Sequence, residues 1–305
     1  FLTAKDDIQS KLRGFSLEID DYLVKPVQQI LNATKKIING DFNVRIEPMD
    51  TFGKRNELDI IIDNFNEMAG ELGSIETLRT DFISNVSHEL KTPLSIIQNY
   101  SALMQDERTT DLERKEYSKS IYETSQNLSN LITNILKLNK LENQKIFLET
   151  SEYNLSEQLI ECLLCFESIW EEKNINIDVD IEEDLMLNAD KELTSIIWNN
   201  LYSNAFKFTE DSGEVSIKAK SENNFIIISI SDNGCGMSKD TGKHIFEKFY
   251  QGDTSHATNW NGLGLALVKR IIDIMNADIY IESTLGKWTT FTVKLDLNKN
   301  KIYNI

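Results

Sequence analysis

Two long stretches of the chain carry apolar residues at the alternating three- and four-residue spacing of a heptad repeat, which restricts them to amphipathic helices that pack on one another. The first spans about 74–105 and the second ends near 143, with a short break at 106–111. Two amphipathic helices alone bury too little surface, so we expect a helical hairpin that dimerises into a four-helix bundle. The seam positions are Ile83, Val86, Leu90, Pro93 and Ile97 in the first stretch, and Ile121, Leu128, Leu131, Ile135 and Leu138 in the second.

The region before this hairpin is also predicted to be helical. Apolar residues repeat at helical spacing from about 26 to 39, where Asn39-Gly40-Asp41 provides a C-terminal cap. An extended stretch from Phe42 to Pro48 follows, and a second helix is expected over about 57–72. Two short helices with a connector of this length could form a parallel pair.

The pattern changes near residue 147, where short β-rich runs alternate with helical stretches. The predicted helices lie near 155–170, 190–206 and 263–276. This alternation predicts a two-layer α/β sandwich with a mixed sheet, so the chain as a whole is predicted to be an all-α coiled-coil region followed by an α/β domain. The predicted strands are Ile175–Ile181, Val215–Ala219, Phe225–Ser231, Asp278–Glu282 and Thr290–Leu295.

Composition excludes several classes of function. A formal net charge of −17 over 305 residues repels phosphate backbones, so we expect no direct nucleic-acid binding. No apolar run is long enough to span a bilayer. Cys162-x-x-Cys165 could be a redox or metal pair, but Cys162 also falls on the apolar face of a predicted helix, where a free cysteine packs as a small hydrophobe.

One histidine stands out on the first heptad helix. With Ile83 at heptad position a, His88 falls at position f, opposite the seam, so its imidazole should face solvent. Neutral imidazole is a competent nucleophile near pH 7, and the adjacent Glu89 could accept its proton. Thr92 shares the same face four residues on and could position a water molecule, while Pro93 removes a backbone donor beside it. The alternative is an ordinary exposed histidine on a coiled coil.

A cluster of polar residues on the predicted helix 190–206 could bind a nucleotide. Asn200 and Asn204 are four residues apart, so both amides face the same way, and amide oxygens suit Mg²⁺ held together with phosphate oxygens. Lys207 could contact phosphate, and Phe208 offers an aromatic face. The alternative is a common polar stripe on an amphipathic helix.

Two glycine clusters follow at strand and helix ends. Asp232 ends an apolar strand and could accept from the exocyclic amine of adenine, while Gly234 and Gly236 would let the backbone approach the ring. The run Gly262-Leu263-Gly264-Leu265 precedes a helix whose N–H groups could face phosphate. Phe249 lies between the clusters, before a polar run at 251–261 that has the composition of a lid. Each motif alone is also compatible with a tight turn.

The order of these motifs resembles that of bacterial sensor histidine kinases of two-component systems. His88 to Leu94 looks like the H box, Asn200 to Phe208 the N box, Asp232 to Met237 the G1 box, Ile245 to Tyr250 the F box, and Gly262 to Ala266 the G2 box. The resemblance implies a homodimeric phosphoacceptor bundle followed by a Bergerat-type ATP-binding domain. It also implies that ATP phosphorylates His88, and that the phosphoryl group passes to an aspartate on a response regulator receiver domain.

The family also implies roles for individual residues. Glu89 would be the general base and Thr92 would assist dephosphorylation of the partner. Asn204, with Asn200, would hold Mg²⁺, Lys207 would contact phosphate and Asp232 adenine, and Gly262 and Gly264 would form the lid hinge. Two alternatives stay open: a nucleotide-binding scaffold or phosphatase with little kinase activity, and another ATPase with the same nucleotide fold.

The resemblance divides the chain into four parts. It implies an N-terminal helical lead-in (1–19), a HAMP-like signal relay (20–73), the phosphotransfer hairpin (74–146) and the catalytic domain (147–305). We expect the cytoplasmic portion of a membrane-anchored protein, with the anchor and sensor domain outside this sequence. The sequence departs from the family pattern at Gly286-Lys287-Trp288-Thr289 and at Asn259-Trp260-Asn261. The second departure implies a stiffer or bulkier lid, which would affect the nucleotide affinity more than the reaction.

Overall fold

The computed structural model describes residues 24–47, 57–143, 148–250 and 262–297. The predicted lead-in at 1–19 and the predicted lid at 251–261, which contains His256 and Asn259-Trp260-Asn261, lie outside the described residues. Within the described ranges, none of the helices combines the length and hydropathy needed to cross a bilayer. The chain forms two units that divide between Ser87 and His88, inside one long helix.

The first unit is built on helix α1, Lys25–Ile38, which ends where the cap sequence predicts. Gly40 adopts a φ of +89° and its N–H donates to the carbonyl of Ile37 at 2.9 Å. The side-chain amide of Asn66 binds the extended connector that follows the cap. It accepts from the N–H of Ile46 and donates to the carbonyl of the same residue. A small core closes this unit, formed by Ala33, Ile46, Ile62 and Phe65.

Helix α2, Glu57–Met104, corrects the prediction of two separate helices at 57–72 and about 74–105. The helix continues through Gly70 and Gly73, because an interior glycine costs only about 1 kcal/mol and does not by itself break a long helix. It also continues through Pro93. The H box therefore lies on an uninterrupted helix.

Helix α3, Asp111–Asn143, forms the second arm of the hairpin and starts with a reciprocal cap. Thr110 accepts from the N–H of Glu113, whose carboxylate accepts from the N–H of Thr110. Arg114 donates to the carbonyls of Met104 and Asp106 and so ties the connection to α2. The rings of Tyr100 and Tyr117 stack across the hairpin with centroids 5.2 Å apart.

The α/β domain contains a five-stranded mixed sheet, as predicted from the five β-rich runs. The strands are β2 Asn176–Ile181, β4 Glu214–Glu222, β5 Phe225–Asp232, β6 Asp278–Thr284 and β7 Trp288–Asp296. Their spatial order, which was not predicted, is β2-β4-β5-β7-β6; only the β2–β4 pairing is parallel, and the other pairings are antiparallel. The sequence did not predict a second sheet, in which β1, Ser151–Asn154, pairs antiparallel with β3, Met186–Ala189.

The helices of this domain are α4 Leu155–Leu164, α5 Glu167–Glu172, α6 Lys191–Phe208, α7 Lys239–His244 and α8 Gly264–Ile274. The helix predicted at 155–170 is thus split into α4 and α5, and the short α7 was not predicted. Cys162 is buried on the apolar face of α4, while Cys165 is exposed. The large side chains of Trp198, Tyr202 and Phe206 on α6 are fully buried and form the centre of the core.

Helix α3 packs against α8 near its own C-terminal end. Leu138 and Leu141 of α3 are buried, and Arg270 of α8 donates to the carbonyl of Leu141 at 3.0 Å. Lys248 forms an ion pair with Glu142 at 2.8 Å. This contact brings one face of α3 opposite the helix that carries the N box.

Candidate functional site

The His88 side chain is exposed on α2, as its heptad position predicts. Thr92 lies one turn further on, and its hydroxyl donates to the carbonyl of His88 at 3.3 Å. Glu89 is half-buried, and this burial raises the pKa of its carboxyl group, while the neighbouring imidazole of His88 acts in the opposite direction. A carboxylate with a raised pKa is a better proton acceptor than an ordinary exposed glutamate near neutral pH.

The N box lies in the second half of α6, a helix with a well-defined start. The side chain of Asp190 caps it by accepting from the N–H groups of Glu192 and Leu193. Asn200 and Asn204 share one face as predicted but differ in environment. Asn200 donates to the carbonyl of Ile196 at 2.8 Å, which leaves its amide oxygen directed away from the helix backbone.

Asn204 is the more deeply placed of the two amides. Only 8% of it is exposed, and within the described part of the chain no hydrogen bond engages its side chain. Its amide atoms are not fully enclosed, because they open into the adjoining cavity. Asn204 therefore marks a position where a ligand or an ordered water molecule is expected.

Lys207 and Phe208 complete the N box at the end of α6. Burial lowers the pKa of the Lys207 ammonium group to about 8, and its nitrogen lies 5.6 Å from the centre of the Phe208 ring. The ammonium group is thus still mostly charged at pH 7, and its partial desolvation strengthens any contact with an anion.

A cavity of about 520 Å³ opens beside these residues. Gly264 lines it at the start of α8, and its Cα approaches Asn200 so closely that an added Cβ would lie 2.5 Å from the amide oxygen. The wall from α6 consists of Asn199, Asn200, Ser203, Asn204 and Lys207. The sequence had not predicted Asn199 and Ser203 as part of the site, although both lie within one turn of Asn200.

The Asp232 turn lies at the end of β5 and contributes none of the described residues that line the cavity. Asp232 is only 6% exposed, and its burial raises the pKa of the carboxyl group to about 6, although the N–H of Gly234 donates to it at 3.0 Å. Gly234 packs on the end of α6, where an added Cβ would meet the carbonyl oxygen of Phe208 at 2.1 Å. The G1 and N boxes are therefore in direct contact.

The hairpin between β6 and β7 supports the Asp232 turn. Gly286 donates to the carbonyl of Cys235 at 2.6 Å, and Ser283 accepts from the N–H of Met237 at 2.8 Å. Gly236 has a φ of +61° and faces the backbone of Thr284 so closely that only glycine fits. The supporting role of Ser283 has no sequence signal, because it depends on a strand pairing.

The F and G2 boxes meet through their backbones. The N–H of Phe249 donates to the carbonyl of Gly262 at 2.9 Å. Both residues adopt positive φ values, +62° and +59°, which is unusual for phenylalanine. Leu263 and Leu265 are buried core residues beside them. This hydrogen bond holds together the two residues that flank the predicted lid segment.

The chemistry of this donor set fits Mg²⁺ bound together with phosphate. Asn200 and Asn204 offer neutral amide oxygens on one helix face, and a hard cation that keeps several water molecules is commonly bound by one or two protein oxygens plus phosphates. The described part of the chain holds no cluster of three acidic, histidine or cysteine residues able to bind a metal by itself. A cation here would thus depend on an accompanying phosphate.

Family models match three successive regions. Residues 22–74 match the HAMP domain, residues 78–144 the His Kinase A (phospho-acceptor) domain, and residues 189–299 the family of histidine kinase-, DNA gyrase B- and HSP90-like ATPases. A phosphoacceptor hairpin joined to an ATP-binding domain of this kind defines the protein histidine kinases. The chain belongs to the two-component sensor histidine kinases, as the sequence predicted, and its last domain is an ATP-binding domain.

Known relatives agree with this assignment. The chain is 32% identical over 279 residues to the heme sensor protein HssS of Staphylococcus aureus strain JH9, a match that covers 91% of this chain and 59% of that protein. Full-length ShkA in complex with AMPPNP is 26% identical, with a TM-score of 0.53 over 72% of this chain and 45% of ShkA. ThkA in complex with the response regulator protein TrrA shares the fold, with a TM-score of 0.62, 23% identity and coverage of 75% and 64%.

Proposed function

We propose that this protein phosphorylates its own His88 from Mg²⁺-bound ATP and passes the phosphoryl group to an aspartate of a response regulator receiver domain. The observation that carries the proposal is the side-chain pair on α2, where an exposed imidazole adjoins a half-buried carboxylate whose pKa is raised. An exposed nucleophile beside a carboxylate of raised pKa is the arrangement that transfer to the imidazole needs.

In the transfer step a ring nitrogen of His88 attacks the γ-phosphorus. The new N–P bond forms as the bond to the β,γ-bridging oxygen breaks, and ADP leaves with that electron pair. Glu89 accepts the remaining ring N–H proton, so that the phosphohistidine is neutral at the ring. Most of the catalysis is positioning of the two reactants together with neutralisation of charge.

The residues of the ATP-binding domain have distinct roles in this proposal. Asp232 accepts from the exocyclic amine of adenine, and Gly234 and Gly236 let its turn pack closely against the backbone of Phe208 and Thr284. Lys207 binds phosphate, and Asn204 with Asn200 holds Mg²⁺. When bound, Mg²⁺ neutralises charge on the terminal phosphates. The complex of ShkA with AMPPNP supports a nucleotide in this domain.

The active form is proposed to be a homodimer. Many apolar side chains of the long helices stay exposed in the single chain, and two copies packed as a four-helix bundle would cover them. They include Ile75, Leu78, Ile83, Leu94, Ile132 and Leu136.

Other parts of the proposal concern the whole protein. The chain spans 59% of the length of the HssS protein that it matches. We propose a membrane anchor and a sensor domain outside the present sequence, with this portion in the cytoplasm and the HAMP region as signal relay. The ThkA–TrrA complex supports a response regulator as the partner, and Thr92 beside His88 supports phosphatase activity toward it.

Incubation with γ-labelled ATP and Mg²⁺ tests the proposal. Wild-type protein should acquire an acid-labile, alkali-stable label, and His88→Gln should acquire none. The chain contains only three histidines, so His244→Gln and His256→Gln serve as matched controls and should be labelled normally. Label that survives in His88→Gln would show that the phosphoacceptor is a different residue.

A further inference from the structure

The second wall of the 520 Å³ cavity comes from the hairpin helix α3 and not from the ATP-binding domain. Four of its residues follow one another at spacings of three and four, so they form one stripe along the helix, and the fifth, Thr133, lies beside Asn134. The stripe consists of Asn127, Asn130, Thr133, Asn134 and Lys137. We call it the α3 polar stripe.

The composition of the stripe is unusual for a helix face that only contacts solvent. Asparagine is a poor helix former, and a solvated face is better filled by Glu, Lys or Gln. Three of the five positions are nevertheless asparagine. Within the described part of the chain, no hydrogen bond engages the side chains of Asn127, Asn130 or Asn134, so their amides are available to a ligand.

The charge of the cavity also differs from that of the chain. The sequence contains 49 acidic residues and has a net charge of −17, yet none of the described residues lining the cavity is acidic. Lys137 of α3 and Lys207 of α6 both line it. Two ammonium groups and several amides without a carboxylate suit a polyanion.

The amide of Asn204, a residue that is only 8% exposed, opens into the same cavity. It lines the same cavity from the α6 side, and no described residue engages its amide. Within the described part of the chain, the two walls therefore present four amides without a protein partner toward a single space, those of Asn127, Asn130, Asn134 and Asn204.

We propose that α3 supplies the second half of the phosphate site, in which Lys137, Asn130 and Asn134 bind the phosphate chain of the nucleotide held by the ATP-binding domain. This inference rests on the proposed nucleotide site around Asn204. Because binding and packing are linked, the nucleotide also stabilises the packing of α8 on α3 that Arg270 and Lys248 maintain.

Titration of the whole chain with AMPPNP in the presence of MgCl₂ tests the inference. Lys137→Ala should weaken binding roughly tenfold, because a charge-assisted contact to phosphate is lost. Lys140→Ala removes the same charge three residues away, outside the cavity lining, and should leave the affinity unchanged. The double variant Asn130→Ala/Asn134→Ala should weaken binding several-fold.

A second ligand separates a phosphate contact from a general change in the protein. AMP lacks the β- and γ-phosphates, so wild-type protein and Lys137→Ala should bind it equally. If Lys137→Ala binds AMPPNP as tightly as Lys140→Ala does, the inference is wrong. The proposed function is tested separately, because it fails if wild-type protein does not bind AMPPNP or if Asp232→Asn binds as tightly as wild type.

Discussion

The ammonium group of Lys173 donates to the carbonyl of Phe206 at 2.8 Å, and this contact fixes the end of the helix that carries the N box. The same nitrogen also donates to the carbonyls of Lys207 and Thr209, at 3.2 and 2.8 Å. The last carbonyls of a helix have no partner within the helix, and a cation there also complements the helix dipole. Lys173 therefore holds Lys207 and Phe208 in place although it does not line the cavity.

Replacing Lys173 by Met should destabilise the ATP-binding domain by about 2–3 kcal/mol, because the change keeps the apolar stem but leaves half-buried carbonyls unpaired. Guanidinium unfolding followed by tryptophan fluorescence measures this loss, since all four tryptophans lie in the predicted catalytic domain.

Lys243→Met is the matched control for this measurement. Its ammonium group forms an exposed pair with Asp240 at 2.9 Å, and surface pairs of this kind contribute at most about 1 kcal/mol. Equal losses of stability in the two variants would show that Lys173 does not act as a helix cap.

Gly234→Ala should separate the Asp232 turn from the end of α6. The new Cβ would lie 2.1 Å from the carbonyl oxygen of Phe208, a backbone atom that cannot rotate away. Overpacking of this kind costs about 1–3 kcal/mol, and here the shift falls between the proposed adenine and phosphate contacts. We expect at least a tenfold loss of AMPPNP affinity, measured by titration.

Gly242→Ala provides the comparison for this change. A Cβ added at Gly242 has no heavy atom within 4 Å, so the variant should bind the nucleotide as wild type does. Unchanged binding in Gly234→Ala would contradict the close approach between the two motifs.

The sequence predicted the features of the fold that depend on residues close together in the chain, such as helix faces, helix caps and long strands. Heptad spacing placed His88 on the solvent side of α2, and the cap at Gly40 was predicted from its residue types. The strands of the large sheet were predicted because their apolar runs are long. β1 and β3 contain only four residues each, too few to show a period.

Other features depend on packing between distant residues and have no local signal. Asn200 and Asn204 were predicted to share a face, but the close approach of Gly264 to Asn200 depends on where α8 begins. Lys137 was not predicted as a site residue. It lines the same cavity as the N box because α3 packs on α8, and the residues that make this contact, Leu141 and Arg270, are 129 positions apart in the chain. The spacing of Asn127, Asn130, Asn134 and Lys137 indicates a polar helix face, but it does not indicate what that face contacts.

Nucleotide binding should weaken below about pH 6. Burial raises the pKa of Asp232 to about 6, so its carboxylate becomes protonated as the pH falls through this value and loses the charged acceptor for adenine. The Kd for AMPPNP should rise by up to tenfold per pH unit below 6. Asp232→Asn should bind more weakly and lack this pH dependence.

The contribution of Asp232 to the folding stability of the domain should improve as the pH falls, whereas nucleotide binding weakens. The pKa of Asp232 in the folded protein, about 6, lies above its value of 3.8 in the unfolded chain, so folding disfavours the charged carboxylate. The resulting loss of folding stability is complete above pH 6 and disappears as the pH falls toward 4. The difference in unfolding free energy between Asp232→Asn and wild type should thus shrink by roughly 2–3 kcal/mol between pH 7 and pH 4. A constant difference would contradict the raised pKa.

Glu89→Gln should slow the phosphorylation of His88 without weakening nucleotide binding. The amide keeps the size of the side chain, but it cannot accept the imidazole proton, and loss of a general base costs about 10²- to 10⁴-fold in rate. Initial rates with γ-labelled ATP at saturating concentration measure the effect, and AMPPNP titration checks the affinity.

The control on the same helix is Glu76→Gln. Glu76 is an exposed carboxylate that pairs weakly with Arg79 at 3.8 Å, so its loss should leave the rate unchanged. If Glu89→Gln kept the full rate, the proton acceptor would have to be another group, and the half-buried position of Glu89 would serve only the packing of the hairpin.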